Sequence, residues 1–113
     1  MALPTGSGSE ILGRVSGGYS TASTTTIITV PALHIYTILN GHFCRNGANT
    51  TTLTLKIHDG TADREIISGV NLSGNTFVWD SKIVLMPGDL LKLTNSSTDQ
   101  IVYWVSYIDQ DWS

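Results

Sequence analysis

Between Lys82 and Leu93 the apolar run Ile83, Val84, Leu85 halts at Met86-Pro87-Gly88-Asp89 and resumes at Leu90, Leu91 and Leu93. Proline pre-sets φ for the first central position of a tight turn, glycine takes a positive φ at the second, and aspartate bonds the backbone locally, so the chain must reverse here. Two strands are predicted to meet at this turn as a hairpin. Short runs cut by Gly, Asn, Asp and Pro recur from Thr24 onward, and none shows a sustained helical period. The predicted strands span residues 25–30, 35–44, 51–58, 65–72, 76–78, 82–86, 90–95 and 101–108, seven or eight in all.

In the segment 51–58, Leu53, Leu55 and Ile57 share one face while Thr52, Thr54, Lys56 and His58 share the other, the period of a half-buried antiparallel strand. Asp59-Gly60 and Ser73-Gly74-Asn75 read as further hairpin turns. In the last segment both parities are apolar or aromatic, with Ile101, Tyr103, Val105 and Tyr107 against Val102, Trp104 and Ile108. That strand is expected to be covered on two sides, the second cover coming from another copy of the chain. The fold class is all-β, an antiparallel sandwich with a jelly-roll-like arrangement; a closed barrel is the lesser alternative.

The chain of 113 residues fits one domain. Residues 22–113 are expected to form the sandwich. Residues 1–21, rich in Gly and Ser with an apolar island at Ile11-Leu12 and lone Val15 and Tyr19, read as an extended arm that docks on a partner surface. Charged residues make up only 13% and the net charge is −3. No basic footprint exists for phosphate backbones or anionic lipid, so neither nucleic acid nor membrane is expected as a partner. The first residues lack a secretory pattern and no run approaches the roughly 20 apolar residues of a membrane span, so synthesis in the cytoplasm is expected. The single Cys44 excludes an internal disulfide.

Residues able to carry chemistry are scattered. Asp59, Asp63, Asp80, Asp89 and Asp99 fall where aspartate stabilises turns. His42 and Cys44, two apart on a predicted strand, share a face, and with His58 they form at most a loose trio where zinc asks for three or four converging ligands. Nothing beside Cys44 marks an activated nucleophile. The glycines of the first segment do not lie between a strand and a helix, so they make no phosphate cradle and read as flexibility. No enzyme activity, cofactor or metal is expected. The aromatic and apolar residues carry more weight: Ile11, Leu12, Val15, Tyr19, Tyr103, Trp104, Tyr107 and Trp112 are the candidate interface residues. A carbohydrate platform built from Trp79, Tyr103 or Trp112 is the alternative use of such aromatics.

The stretch from Thr24 to Asp109 resembles small β-sandwich virion structural proteins of tailed bacteriophages. The resemblance runs through Thr26-Ile27-Ile28-Thr29-Val30-Pro31-Ala32, the alternating Leu53, Leu55 and Ile57, and Ile67-Ser68-Gly69-Val70-Asn71-Leu72. It continues through Lys82 to Leu91 with the Pro87-Gly88-Asp89 turn, and ends in Val102-Tyr103-Trp104-Val105-Ser106-Tyr107-Ile108. What it implies is a non-enzymatic virion protein that decorates or cements a capsid as a homo-oligomer, a trimer by expectation, bound to the major capsid protein. A neck or tail accessory role is the alternative within that class.

Overall fold

A computed structural model describes residues 9–72 and 76–112. Among them nine strands and no helix occur: β1 (Ser9–Tyr19), β2 (Thr24–Thr29), β3 (His34–Asn46), β4 (Thr52–His58), β5 (Asp63–Asn71), β6 (Thr76–Trp79), β7 (Ile83–Leu85), β8 (Leu90–Asn95) and β9 (Gln100–Asp111). Two antiparallel sheets form, one ordered β1-β9-β3-β6 with β7 also on β3, the other ordered β2-β8-β4-β5. The pairings β1 with β9, β2 with β8, β3 with β6 and β7, and β4 with β5 nest inside one another. A long hairpin rolled on itself has this order, so the sandwich is jelly-roll-like.

Eight strands fall on the predicted segments. The ninth is β1, which lies in the segment read as an arm outside the sandwich and is instead an edge strand of it, paired with this chain's own β9 in unbroken register from Ser9 opposite Asp111 to Tyr19 opposite Ile101. Its glycines give the reason it escapes a propensity reading. Gly13 and Gly17 lie opposite Tyr107 and Tyr103, and a Cβ at either would stand 2.5 Å or 2.9 Å from the tyrosine side chain. The missing side chains make room for the rings.

Side chains from the two inner faces fill the core. Ile38, Phe43, Leu85, Ile101 and Val105 come from the first sheet, Leu53, Leu55, Leu91 and Leu93 from the second, all fully buried. Each contributes roughly 1.5–3 kcal/mol by leaving water. Two bulges make the inward pattern possible. The register of β3 on β9 shifts between Ile38 and Asn40, which moves the inward parity so that Ile38 and Phe43 both face the core. A shift between Thr26 and Ile28 on β2 likewise buries the adjacent Ile27 and Ile28 together.

The Pro87-Gly88 turn corrects the hairpin expectation. Its geometry is as read, with Gly88 at φ 87° and the Asp89 N–H donating to the Met86 carbonyl at 3.0 Å. But β7 lies in the first sheet and β8 in the second, so the turn is a corner that carries the chain across the sandwich. The Gly88 N–H donates to Val30 O, Val30 N–H donates to Asp89 O, and the Asp89 carboxylate accepts from Met86 N–H, tying the corner to the end of β2. The segment 73–75, also read as a hairpin turn, lies outside the described residues; the strands flanking it, β5 and β6, belong to different sheets. Asp59-Gly60 does close a hairpin, β4 to β5, with the Asp59 carboxylate accepting from Thr61 and Ala62 N–H at 3.0 Å each.

Candidate interaction surface

Alternation places every second residue of β1, β9 and β3 on the outer face of the first sheet. Cross-strand register then builds rows of neighbours on it. Leu12 sits beside Ile108, Thr37 and Val84; Ser16 beside Trp104, His42 and Val78; Gly18 beside Val102, Cys44 and Thr76. Of these, Leu12 is 77% exposed, Val84 56% and Trp104 45%. Arg14 lies with its guanidinium carbon 4.1 Å from the centre of the Trp104 ring, a cation over a π face. Beside Trp104 a shallow open groove of about 340 Å³ runs over Gly17 and Gly18 and is flanked by Ser16, Gln100 and Val102. This face is apolar at its centre and weakly charged.

The eight candidate interface residues divide between the two sides of that sheet. Val15, Tyr19, Tyr103 and Tyr107 turn inward and pack against the core of this chain. Tyr107 stacks on Tyr36 with ring centres 4.4 Å apart and planes 12° from parallel. Burial, with Tyr107 and Asp109 alongside, pushes the Tyr36 phenol up to about 12. Leu12 and Trp104 face outward and Ile11, at the far end of β1, is 60% exposed. Trp112 is half-buried past the end of β9, its backbone N–H donating to Leu33 O at 2.9 Å. Sequence reasoning missed the outward Val78 and Val84, while Val102 was read only as part of the second apolar parity of the last strand. Parity alone marks them, but only once the strand partners are known.

The aromatics weighed as a sugar platform do not share an exposed face, since Trp79 is 3% exposed in the core and Tyr103 packs inward. The loose metal trio is likewise split: His42 and Cys44 lie on β3 of one sheet and His58 on β4 of the other. His58 instead lies with Nδ1 2.9 Å from Asp63 Oδ1, and Lys92 Nζ donates to the same oxygen at 3.1 Å; the hydrogen bond from Lys92, and then that with His58, holds Asp63 below its ordinary value. Among the described residues no group of three His, Cys, Asp or Glu converges as a metal site would require.

Compared with protein-family models and with curated protein sequences, the chain matches none. Solved structures do match. A chain of the acid-stable capsid of Helicobacter pylori bacteriophage KHP30 superposes with a TM-score of 0.61 at 8% identity, covering 90% of this chain and 93% of that one. The fold is one that phage capsids use. A pentameric capsid protein from metagenomic phage sequences matches with a TM-score of 0.51 at 17% identity over 82% of this chain and 59% of its own, so this chain spans about three fifths of that protein. A chain of the disulfide-linked pili of Bacillus endospore appendages matches with a TM-score of 0.54 at 14% identity, over 96% of this chain and 93% of that one. At such identities the shared property is the sandwich itself.

Electrostatics at the other end of the first sheet are local. His34 at the start of β3 bonds Asp109 Oδ1 through Nδ1 at 2.7 Å, with Asp111 Oδ1 3.5 Å from Nε2. The Asp109 bond and both carboxylates raise the imidazole above its ordinary 6.5. The pair clamps the beginning of one long strand to the end of its neighbour. An arrangement of this kind, a rigid slab with one apolar outer face, can adhere to other proteins by burial.

Proposed function

We propose that this chain is a non-enzymatic structural protein of a bacteriophage virion, a capsid decoration or cement protein that acts as a homo-oligomer on the major capsid lattice. The observation that carries the reading is the end-to-end match with a chain of a phage capsid, over 90% of one and 93% of the other. The match to a pilus chain supports the same physical role, a sandwich serving as the brick of a larger assembly. The pentameric state of another match supports self-association; a trimer capping a lattice junction is the form that the sequence resemblance implies. Ile11, Leu12, Trp104 and Trp112 are the side chains we assign to contacts with neighbours. Interfaces of standard size bury about 1,200–2,000 Å² in total, and their repetition over a lattice multiplies the effect.

Electron microscopy of purified particles, with and without this chain, tests the reading. Hundreds of copies on the capsid surface are the expected result. Six or twelve copies at one vertex would establish a neck or tail role instead, and a particle without the chain would overturn both.

A further inference from the structure

Each sheet of an open sandwich ends in strands whose outer N–H and C=O groups lack a ladder partner, and proteins blunt such edges with short strands, bulges or charge. Three of the four edges here are blunted. The β6 and β7 strands have 4 and 3 residues. The β2 strand is bulged. The β5 strand is bulged against β4 and opens with Asp63-Arg64-Glu65, all exposed.

The fourth edge is β1, which has 11 residues, no register shift and no proline. Only Glu10 and Arg14 are charged, and both point, with the exposed Leu12 between them, to the outer face. Among the described residues neither pairs with an opposite charge: Glu10 accepts from the Gln110 amide at 3.0 Å and Arg14 lies over Trp104.

The spacing of these three side chains is self-complementary. Turned end for end about Leu12, the strand sets Glu10 against Arg14, Arg14 against Glu10, and Leu12 against itself. Directly opposed residues of an antiparallel pair share a face, and opposite charges there attract. We propose that β1 pairs antiparallel with β1 of a second copy about a twofold axis at Leu12, joining the two β1-β9-β3 sheets into one continuous sheet. The contact is isologous and closes on itself. It rests on the self-association in the reading above and supplies its surface; it gives a dimer, or an even-numbered assembly if a second contact exists.

The test is a charge swap in the full chain, read by sedimentation equilibrium, with circular dichroism and thermal melts to check folding. Wild type should show the mass of a dimer or an even multiple. Arg14→Glu alone, or Glu10→Lys alone, places like charges opposite each other twice and should weaken association about tenfold or more. The double variant Glu10→Lys/Arg14→Glu restores both attractions and should recover the wild-type mass. Loss of the Gln110 and Trp104 contacts within one chain cannot produce that recovery, because the double variant loses both. A wild-type monomer at 100 μM, an odd-numbered oligomer, single variants that associate unchanged, or a double variant no better than the singles would each overturn the edge pairing. Cosedimentation of wild type with particles reads the virion role separately, so either claim can fail alone.

Discussion

The ring of Tyr107 lies across the backbone of Gly13, its cross-strand partner, so closely that a Cβ there would stand 2.5 Å from the ring. The ring has nowhere to retreat, being stacked at 4.4 Å on Tyr36 behind it. Gly13→Val should therefore cost on the order of 1–3 kcal/mol in urea denaturation, the usual range for overpacking. Adding Tyr107→Leu should return part of that loss, since neighbouring changes are not additive. A change for Gly13→Val within 0.5 kcal/mol of zero, roughly the scatter of surface substitutions, would show that the ring yields.

Gly88 offers a different kind of constraint. No atom lies within 4 Å of where its Cβ would be, yet its φ is 87°. Crowding is absent and backbone strain remains, so Gly88→Val should destabilise by on the order of 1–3 kcal/mol. Because the corner joins the two sheets, the loss should appear in global unfolding by both tryptophan fluorescence and far-ultraviolet dichroism, with coincident midpoints.

Leu33 holds a φ of 63° without being glycine, at the turn where His34 N–H donates to Pro31 O. The left-handed region is costly for a branched side chain and tolerable for asparagine. Leu33→Asn should stabilise the fold by roughly 0.5–1 kcal/mol, and a lower melting temperature would show that the half-exposed leucine contributes more by packing than it costs in strain.

The His34 cluster makes stability depend on pH. Its folded value is raised above 6.5, so the imidazolium bound to Asp109 contributes fully below about 6.5, and that contribution fades as pH rises through the raised value. Asp59 and Asp63 act in the opposite sense. Their folded values are lowered from 3.8, so what they add is present above that and is lost as pH falls through the lowered values. Melting temperature should be highest between about pH 4 and 6.5 and decline above that range; His34→Gln should flatten the alkaline limb and leave the acid limb unchanged.

The strands were legible because their alternation is a local property. Leu53, Leu55 and Ile57 announce a face before any partner is known, and Pro87-Gly88 announces a reversal. Which strands that reversal joins is not local: a hairpin and an inter-sheet corner use the same residues, and only the nested pairing of β2 with β8 tells them apart. The same limit hid β1. Gly13 and Gly17 look like flexibility until Tyr107 and Tyr103, some ninety residues away, are laid over them. The candidate surface was half legible for that reason, with Leu12 and Trp104 recognised by chemistry and Val78 and Val84 visible only through register.

With Ser9 opposite Asp111, the pairing of β1 on β9 closes a loop that contains nearly the whole described chain. Such closure costs entropy before contacts repay it, which places this seam among the slowest events of assembly. A circularly permuted chain, sewn across Asp111 and Ser9 and opened at the exposed Gly60 bend, would make that costly seam a short local hairpin and should refold faster than the natural order.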